Sequence, residues 1–289
     1  MPTRRAFLYT AASALGAQRL RVNDVKGEKV TISHNGTTIL EYCYSQDRPK
    51  PYIHPLCLPD GNPVTRDGPK DHIHHRGLMV AWSEVNGFDF WGEDNPAPHG
   101  QIVHQRFERV QESLPAEIVE INHWIADGKL LLMERRGIRV PVPTVDGTWI
   151  EWTTELRTAG GPVKLAAGQH VYNGLGIRVQ AEMDRGSVLN SNGTAGVDKV
   201  NGEAAKWCVY QGGEAGVAFY DSPKNPRHPN SFFVMNKPFG YMSAAPTFRE
   251  PFDLAAGQSI RFAWGVLAFK GKPDPGALDR RYNIWTKET

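Results

Sequence analysis

Cysteine is scarce, charge is balanced and long apolar runs are missing, and each shortage removes a class of protein. Three cysteines in 289 residues (Cys43, Cys57, Cys208) make neither a disulfide framework nor a Cys-x-x-Cys metal knuckle. Their odd count allows one pair at most, and the thiols are expected to be structural and mostly buried. Lys and Arg number 33 against 31 Asp and Glu, a net charge of +2 with no basic block, so nucleic-acid binding lacks its electrostatic footprint. A membrane span needs about 20 consecutive apolar residues, and no stretch comes close. There is no P-loop, no Gly-x-Gly-x-x-Gly after a strand, no Gly-x-Ser-x-Gly and no His-Glu-x-x-His, which disfavours nucleotide binding and serine-hydrolase chemistry. Long helical periodicity is missing as well. The 29 glycines and 21 prolines interrupt it everywhere except Pro275 to Lys287, which reads as a short C-terminal helix.

What remains is mostly strand. Lys29 to Leu40 reads as a hairpin around Asn35-Gly36, and Glu117 to Asp127 with Leu130 to Val140 as two strands joined at Asp127-Gly128. Thr148 to Leu156 alternates apolar and polar residues, and Gly216 to Tyr220 and Ser259 to Phe269 are rich in Val, Ile and aromatics. With no linker, repeat or low-complexity tract, the expectation is an all-β fold, one large antiparallel β-sandwich over residues 18–289. Residues 1–17 read separately. Arg4-Arg5 before the apolar run Ala6 to Ala17, with Ala14-Leu15-Gly16 as a small-x-small cleavage site, resembles a twin-arginine export signal. A periplasmic or secreted location follows as an expectation.

The chemistry concentrates between Ile53 and Glu93. Four of the ten histidines (His54, His72, His74, His75) lie there with Asp71, Arg76 and Glu93. Imidazole changes charge near neutral pH, exchanges protons and ligates metals. On an extended backbone His72 and His74 share one face and His75 takes the other. Three readings stay open. His72 and His74 grip one divalent metal ion, with His54, His104, His170 or Glu93 as third ligand. Alternatively, His74 or His75 acts as general acid or base without a metal, with Arg76 stabilising an oxyanion and Asp71 fixing the tautomer. In the third, the histidines form a structural hydrogen-bond network.

Other candidates surround that block. Trp82 and Trp91 suit the apolar face of a sugar ring, and Glu93 suits its hydroxyls; each also suits a core strand. His170 and Arg178 sit near a glycine turn, and the planar fork of an arginine matches a carboxylate or several hydroxyls. Asn225 lies in the proline-bracketed loop Asn225-Pro226-Arg227-His228-Pro229-Asn230, a rim loop or a plain turn. Glu151 and Glu155, four apart on one strand face, have the form of a glycosidase pair but read better as solvated surface.

A family resemblance runs through the same pieces. His54-Pro55-Leu56, Pro59-Asp60-Gly61-Asn62-Pro63-Val64-Thr65, Asp71-His72-Ile73-His74-His75-Arg76-Gly77-Leu78, Val85-Asn86-Gly87-Phe88-Asp89-Phe90-Trp91-Gly92, Gly174-Leu175-Gly176-Ile177-Arg178 and Asn225-Pro226-Arg227-His228-Pro229 resemble the soluble PmoA-like family, named after a methane monooxygenase subunit. The chain departs from that pattern at Tyr172-Asn173-Gly174, where Asn173 replaces an expected glycine. Methane oxidation is disfavoured, because a subunit of that type spans the membrane. The resemblance implies a large sandwich of the aldose-epimerase type and a carbohydrate substrate. The expected function is an exported carbohydrate-active enzyme, a lyase, hydrolase or epimerase. The alternatives are a non-catalytic sugar-binding protein and a structural protein with a buried histidine cluster.

Overall fold

Two dipeptides set the strand registers they were expected to set. Asn35 and Gly36 have φ of 50° and 84°, Asp127 and Gly128 have 50° and 66°. Positive φ at both central residues is what a tight two-residue hairpin turn requires. Strands Lys29–His34 and Thr37–Cys43 pair across the first turn, and Ala116–Ala126 and Lys129–Val140 across the second. The computed structural model describes residues 19–93, 96–168 and 171–288. The expected export signal at residues 1–17 and the candidate His170 lie outside the described residues.

Among the described residues strand accounts for 54% and helix for 8%, and the strands form two eight-stranded sheets and a three-stranded one (Phe252–Leu254, Val163–Ala166, Glu84–Val85), all paired antiparallel. From edge to edge the first sheet runs Leu20–Val25, Lys29–His34, Thr37–Cys43, Tyr52–Leu56, Leu78–Trp82, Asn173–Arg178, Tyr241–Ala245, Ser231–Met235. The second runs Ser187–Asn190, Trp207–Gly212, Ala215–Asp221, Ser259–Lys270, Thr148–Thr158, Lys129–Val140, Ala116–Ala126, Gly100–Gln111. The fold is the large antiparallel sandwich with a short C-terminal helix, Pro275–Glu288. No helix among the described residues is long and apolar enough to cross a membrane.

Side-chain alternation decides which face of the first sheet holds what. Leu78, Val80 and Trp82 point inward, and their register partners Ile177, Leu175 and Asn173 follow them. Trp82 meets the second sheet there, its ring 5.9 Å from Trp124 and 5.7 Å from Phe262. The opposite face carries Met79, Ala81, Gly174, Gly176, Arg178, Tyr241 and Ser243. Loops fold over that outer face and bury it. The second sheet's outer face is covered by the C-terminal helix through Leu278, Tyr282 and Trp285, packed on Trp149, Trp207 and Tyr220. Cys57 and Cys208 are buried, Cys43 is half-buried, and all three are free.

Candidate functional site

Glycine and proline, not strand pairing, shape the histidine block. His72 N–H donates to Pro69 C=O at 2.9 Å, and His75 N–H to His72 C=O at 3.0 Å, so residues 69–75 turn twice. The loop is closed by Gly68 N–H to His75 C=O at 2.9 Å. Gly77 follows with φ of 65°, where an added Cβ would lie 2.3 Å from the Ile53 carbonyl oxygen. Only glycine fits so close a backbone approach in the left-handed region. The extended backbone expected here is thus corrected, and with it the separation of faces. All three imidazoles gather: His72 and His75 stack at 4.8 Å, His74 and His75 meet at 4.6 Å, His72 and His74 at 5.5 Å.

Strand Asn173–Arg178 brings Arg178 to them across 103 residues of sequence. Its backbone is laced to the loop on both sides, Arg178 N–H to Gly77 C=O at 2.9 Å and Arg66 N–H to Arg178 C=O at 3.0 Å. The buried guanidinium lies 3.8 Å over the Phe239 ring. Its Nη1 donates to His75 Nδ1 at 3.0 Å. A guanidinium only donates, so His75 Nδ1 accepts and the proton sits on Nε2. Burial, then the charges of His74 and Arg178, push the His75 value far below the ordinary imidazole range. His75 is therefore neutral and poorly suited to carry a proton. Burial likewise lowers the Arg178 value, opposed by Asp71. Asp71 stands 3.5 Å from Arg178 Nη2 and accepts from His72 Nδ1 at 3.0 Å. Partial burial works to raise its carboxyl, but His72 and Arg178 hold it below the usual carboxylate range. His72 and His74 are half-buried.

Arg76 is spent elsewhere. Its Nε donates to both Glu93 oxygens at 3.1 Å, its Nη2 also meets Glu93, and Nη1 is 3.7 Å from Asp67. The buried Lys50 donates to Glu93 at 2.8 Å and to the Trp91 carbonyl at 2.9 Å. Burial works to raise the Glu93 carboxyl, but Lys50 and Arg76 hold it low. Asp89 accepts from the backbone of Trp91 and Gly92 at 2.7 and 2.9 Å, fixing the turn that presents them. Trp91 then stacks on Tyr172 at 5.5 Å and meets Tyr241 edge-on at 5.7 Å. Tyr241 in turn is 4.9 Å from His75, joining the aromatic and imidazole groups.

Several expected site residues go elsewhere. Trp82 belongs to the core, where its Nε1 donates to Thr247 Oγ1 at 3.1 Å. Asn173 shares that place, accepting from Thr247 N–H at 2.9 Å, so the departure at this position is a core tie. Asn225 is buried and bonds Asp221 at 2.6 Å and both backbone groups of Ala263, which makes its loop structural. His54 is held by Thr65 Oγ1 at 3.0 Å, with burial lowering its value. His104 bonds Glu120 at 2.6 Å, away from the cluster. Glu151 pairs with Arg139 at 2.8 Å, and Glu155 is exposed. The His72/His74 metal grip rested on the extended backbone. Among the described residues, no group of three or more His, Cys, Asp or Glu side chains is placed to hold a metal ion.

Sequence reasoning missed Lys50, Tyr172, Phe239 and Tyr241. Phe239 and Tyr241 follow Lys237-Pro238 and flank Gly240, a turn feeding a strand, and that was the available signal.

A family model matches residues 29–283 of the chain, nearly all of the sandwich and the whole of this site. The chain belongs to DUF6807, a family of unknown function. This overturns the PmoA-like resemblance read from the motifs: the family whose model fits is DUF6807. No curated protein matches this DUF6807 chain. Among solved structures, it is similar to heparan sulfate lyase HepC from Pedobacter heparinus, at 7% identity and a TM-score of 0.42, covering 85% of this chain and 34% of the lyase. The chain thus spans about a third of the length of that enzyme. It is also similar to the Slr1438 protein from Synechocystis sp. PCC 6803 (7% identity, TM-score 0.43, 87% and 96% covered). A third is a putative aldose 1-epimerase from Escherichia coli K12 (11% identity, TM-score 0.37, 87% and 99% covered).

Proposed function

We propose that the chain is an exported carbohydrate-active enzyme that moves a proton at a sugar carbon or a glycosidic oxygen, as a lyase, hydrolase or epimerase does. The supporting observation is a linked set of four side chains: His72 on Asp71, Asp71 on Arg178, Arg178 on His75. Asp71 accepts a hydrogen bond from Nδ1–H of His72, which leaves Nε2 of a half-buried ring to accept or deliver a proton. The acid–base role thus falls to His72, with His74 beside it, and leaves the neutral, buried His75. Arg178 stays charged next to a half-exposed carboxylate, placed to bind substrate oxygens or a developing oxyanion. His75 and Phe239 fix its direction from two sides. Arg76, Glu93 and Lys50 form the ionic frame beneath Trp91.

The test is a mass-spectrometric screen of the purified chain against plain and oxidised glycosides, with His72→Ala beside it. Loss of one general acid–base group lowers turnover by roughly 10²–10⁴-fold. Turnover unchanged in His72→Ala removes the assignment, and sugar binding without turnover leaves a non-catalytic binding protein.

A further inference from the structure

Large apolar side chains left in water are few, and most of them gather at one place. Among the described residues they are Ile73, Leu114, Val145 and Ile284. Val145 and Ile284 line a hollow beside the C-terminal helix, and Ile284 is also a wall of a second hollow lined by Pro115, the neighbour of Leu114. Single exposed apolar residues are ordinary, but a cluster of them marks a contact surface. The larger hollow has a volume of about 450 Å³. A water molecule's share of the liquid is about 30 Å³, so side chains fit in it. Leu267, Phe269 and Leu278 are buried beneath it, and Lys270, Lys272 and Arg280 stand exposed around it.

Val145 is a knob beside this hole. Thr144 and Gly147 exchange backbone hydrogen bonds of 3.1 Å each, and Asp146 N–H donates to Thr144 Oγ1 at 3.2 Å. Val145 and Asp146 are therefore the tip of a tight turn. Gly147 seats that turn on strand Ser259–Lys270, where an added Cβ would lie 2.2 Å from the Ala268 carbonyl oxygen. The Val145 side chain at its tip is fully exposed. A knob held this way has little backbone freedom left to lose on docking.

Charge indicates what the hollow accepts. Lys270, Lys272, Arg280 and Arg281 line it against two carboxylates, Asp146 and Asp274. Lys270 lies 3.7 Å from Asp60, Arg280 3.5 Å from Asp274 and Arg281 3.8 Å from Asp146. Lys272 has no ion pair among the described residues. Exposed pairs at such distances are worth little, so exchanging them costs little. The segment that fits is an apolar side chain followed by an acid on a tight turn. The same face carries one, Val145-Asp146. A surface with both knob and hole is self-complementary, which is the condition for two-fold pairing.

We infer that the protein pairs with a second copy of itself across this face, each Val145 in the hollow of the other copy and each Asp146 beside the partner's Lys272. The interface lies on the outer face of the second sheet, across the sandwich from the histidines. Pairing leaves the histidine site open, and the inference stands apart from what that site does.

Sedimentation velocity of the full chain from about 1 to about 100 μM tests it, with a dimer expected within that range. Val145→Asp and Ile284→Asp are each expected to weaken pairing about tenfold or more, as loss of a docked apolar side chain does. Both side chains are exposed in the single chain, so an unchanged melting temperature of the diluted monomer confirms the fold of each variant. Asp146→Lys and Lys272→Asp are each expected to weaken pairing, and the two together in one chain to restore it, because the reversed charges meet again across the interface. A dimer indifferent to Val145→Asp and Ile284→Asp, or a double charge reversal that pairs no better than either single one, overturns the inference. So does a chain that stays monomeric throughout, which would leave the face to an acidic segment of a different protein.

Discussion

His75 shows how burial and neighbouring charge fix the state of a residue. Burial, and after it the charges of His74 and Arg178, hold His75 neutral in the folded chain, with its value far below the ordinary 6.5. The unfolded chain, at the ordinary value, takes up the proton first, so stability is lost as pH falls below about 6.5, with a limiting slope of about 1.4 kcal/mol per pH unit for each such group. His54, also lowered by burial, adds the same sign. The depressed carboxyls of Glu93 and Asp71 add it again, only below their ordinary values of 4.5 and 3.8. The melting temperature is therefore expected to drop between pH 7 and pH 5. In His75→Asn, whose amide oxygen can accept from Arg178, that acid slope should flatten; an unchanged slope would assign it to other groups. His75→Ala leaves a buried guanidinium proton unpaired and is expected to cost about 1–3 kcal/mol. The residues of this cluster were legible in sequence because His, Asp and Arg stand out within six positions. Their roles were not, since they follow from how deeply the fold buries His75 and from the bond of Arg178, which lies 103 residues away.

At the scale of elements, hairpins were legible and the histidine loop was not. Asn-Gly and Asp-Gly carry their turn geometry in two residues, so the strands around them fall where alternation puts them. Residues 68–77 carry theirs in Gly68, Pro69 and Gly77 at the ends, and the polar run between looks like any short strand. Substitution separates the two kinds of glycine. Gly36→Ala meets nothing within 4 Å at φ of 84° and is expected to cost about 1–2 kcal/mol, the left-handed penalty alone. Gly77→Ala adds the 2.3 Å approach to the Ile53 carbonyl and moves Arg76, its neighbour, away from Glu93. Urea unfolding of both variants is expected to place Gly77→Ala well below Gly36→Ala. Equal midpoints would mean that the loop gives way without strain.

For the whole molecule, the alternation that located the strands gave no warning of what the sandwich holds at its centre. Along Lys129–Val140 the inward positions include Glu134 and Arg136, and along Ala116–Ala126 they include Glu120 and Asn122, all fully buried. Charged residues in a strand read as its wet face, and here they are the dry one. Arg136 donates to Glu134 through Nε and Nη2 at 2.8 Å each, and through Nη1 to Tyr42 Oη at 3.0 Å and the Pro51 carbonyl at 3.1 Å. Tyr42 also bonds Glu120, so a residue of the first sheet is tied to two strands of the second. Burial opposes the guanidinium charge, but Glu134, Tyr42 and Glu120 outweigh it and keep Arg136 protonated. Trp124 Nε1 at 2.9 Å and Thr154 Oγ1 at 3.1 Å complete the shell of Glu134. A buried ionic network with Glu134 and Arg136 bonded this completely fixes how the sheets face each other, and it is unforgiving of partial removal. Arg136→Met leaves Glu134 and Glu120 buried without their cation and is expected to cost about 3–5 kcal/mol. The double variant Arg136→Met with Glu134→Leu is expected to cost less than the sum of its two single changes, because each single change strands the other partner. Denaturant unfolding of the four proteins in that cycle measures the coupling. Additive costs, or an Arg136→Met protein that unfolds at the unsubstituted midpoint, would show that apolar packing alone holds the two sheets in place.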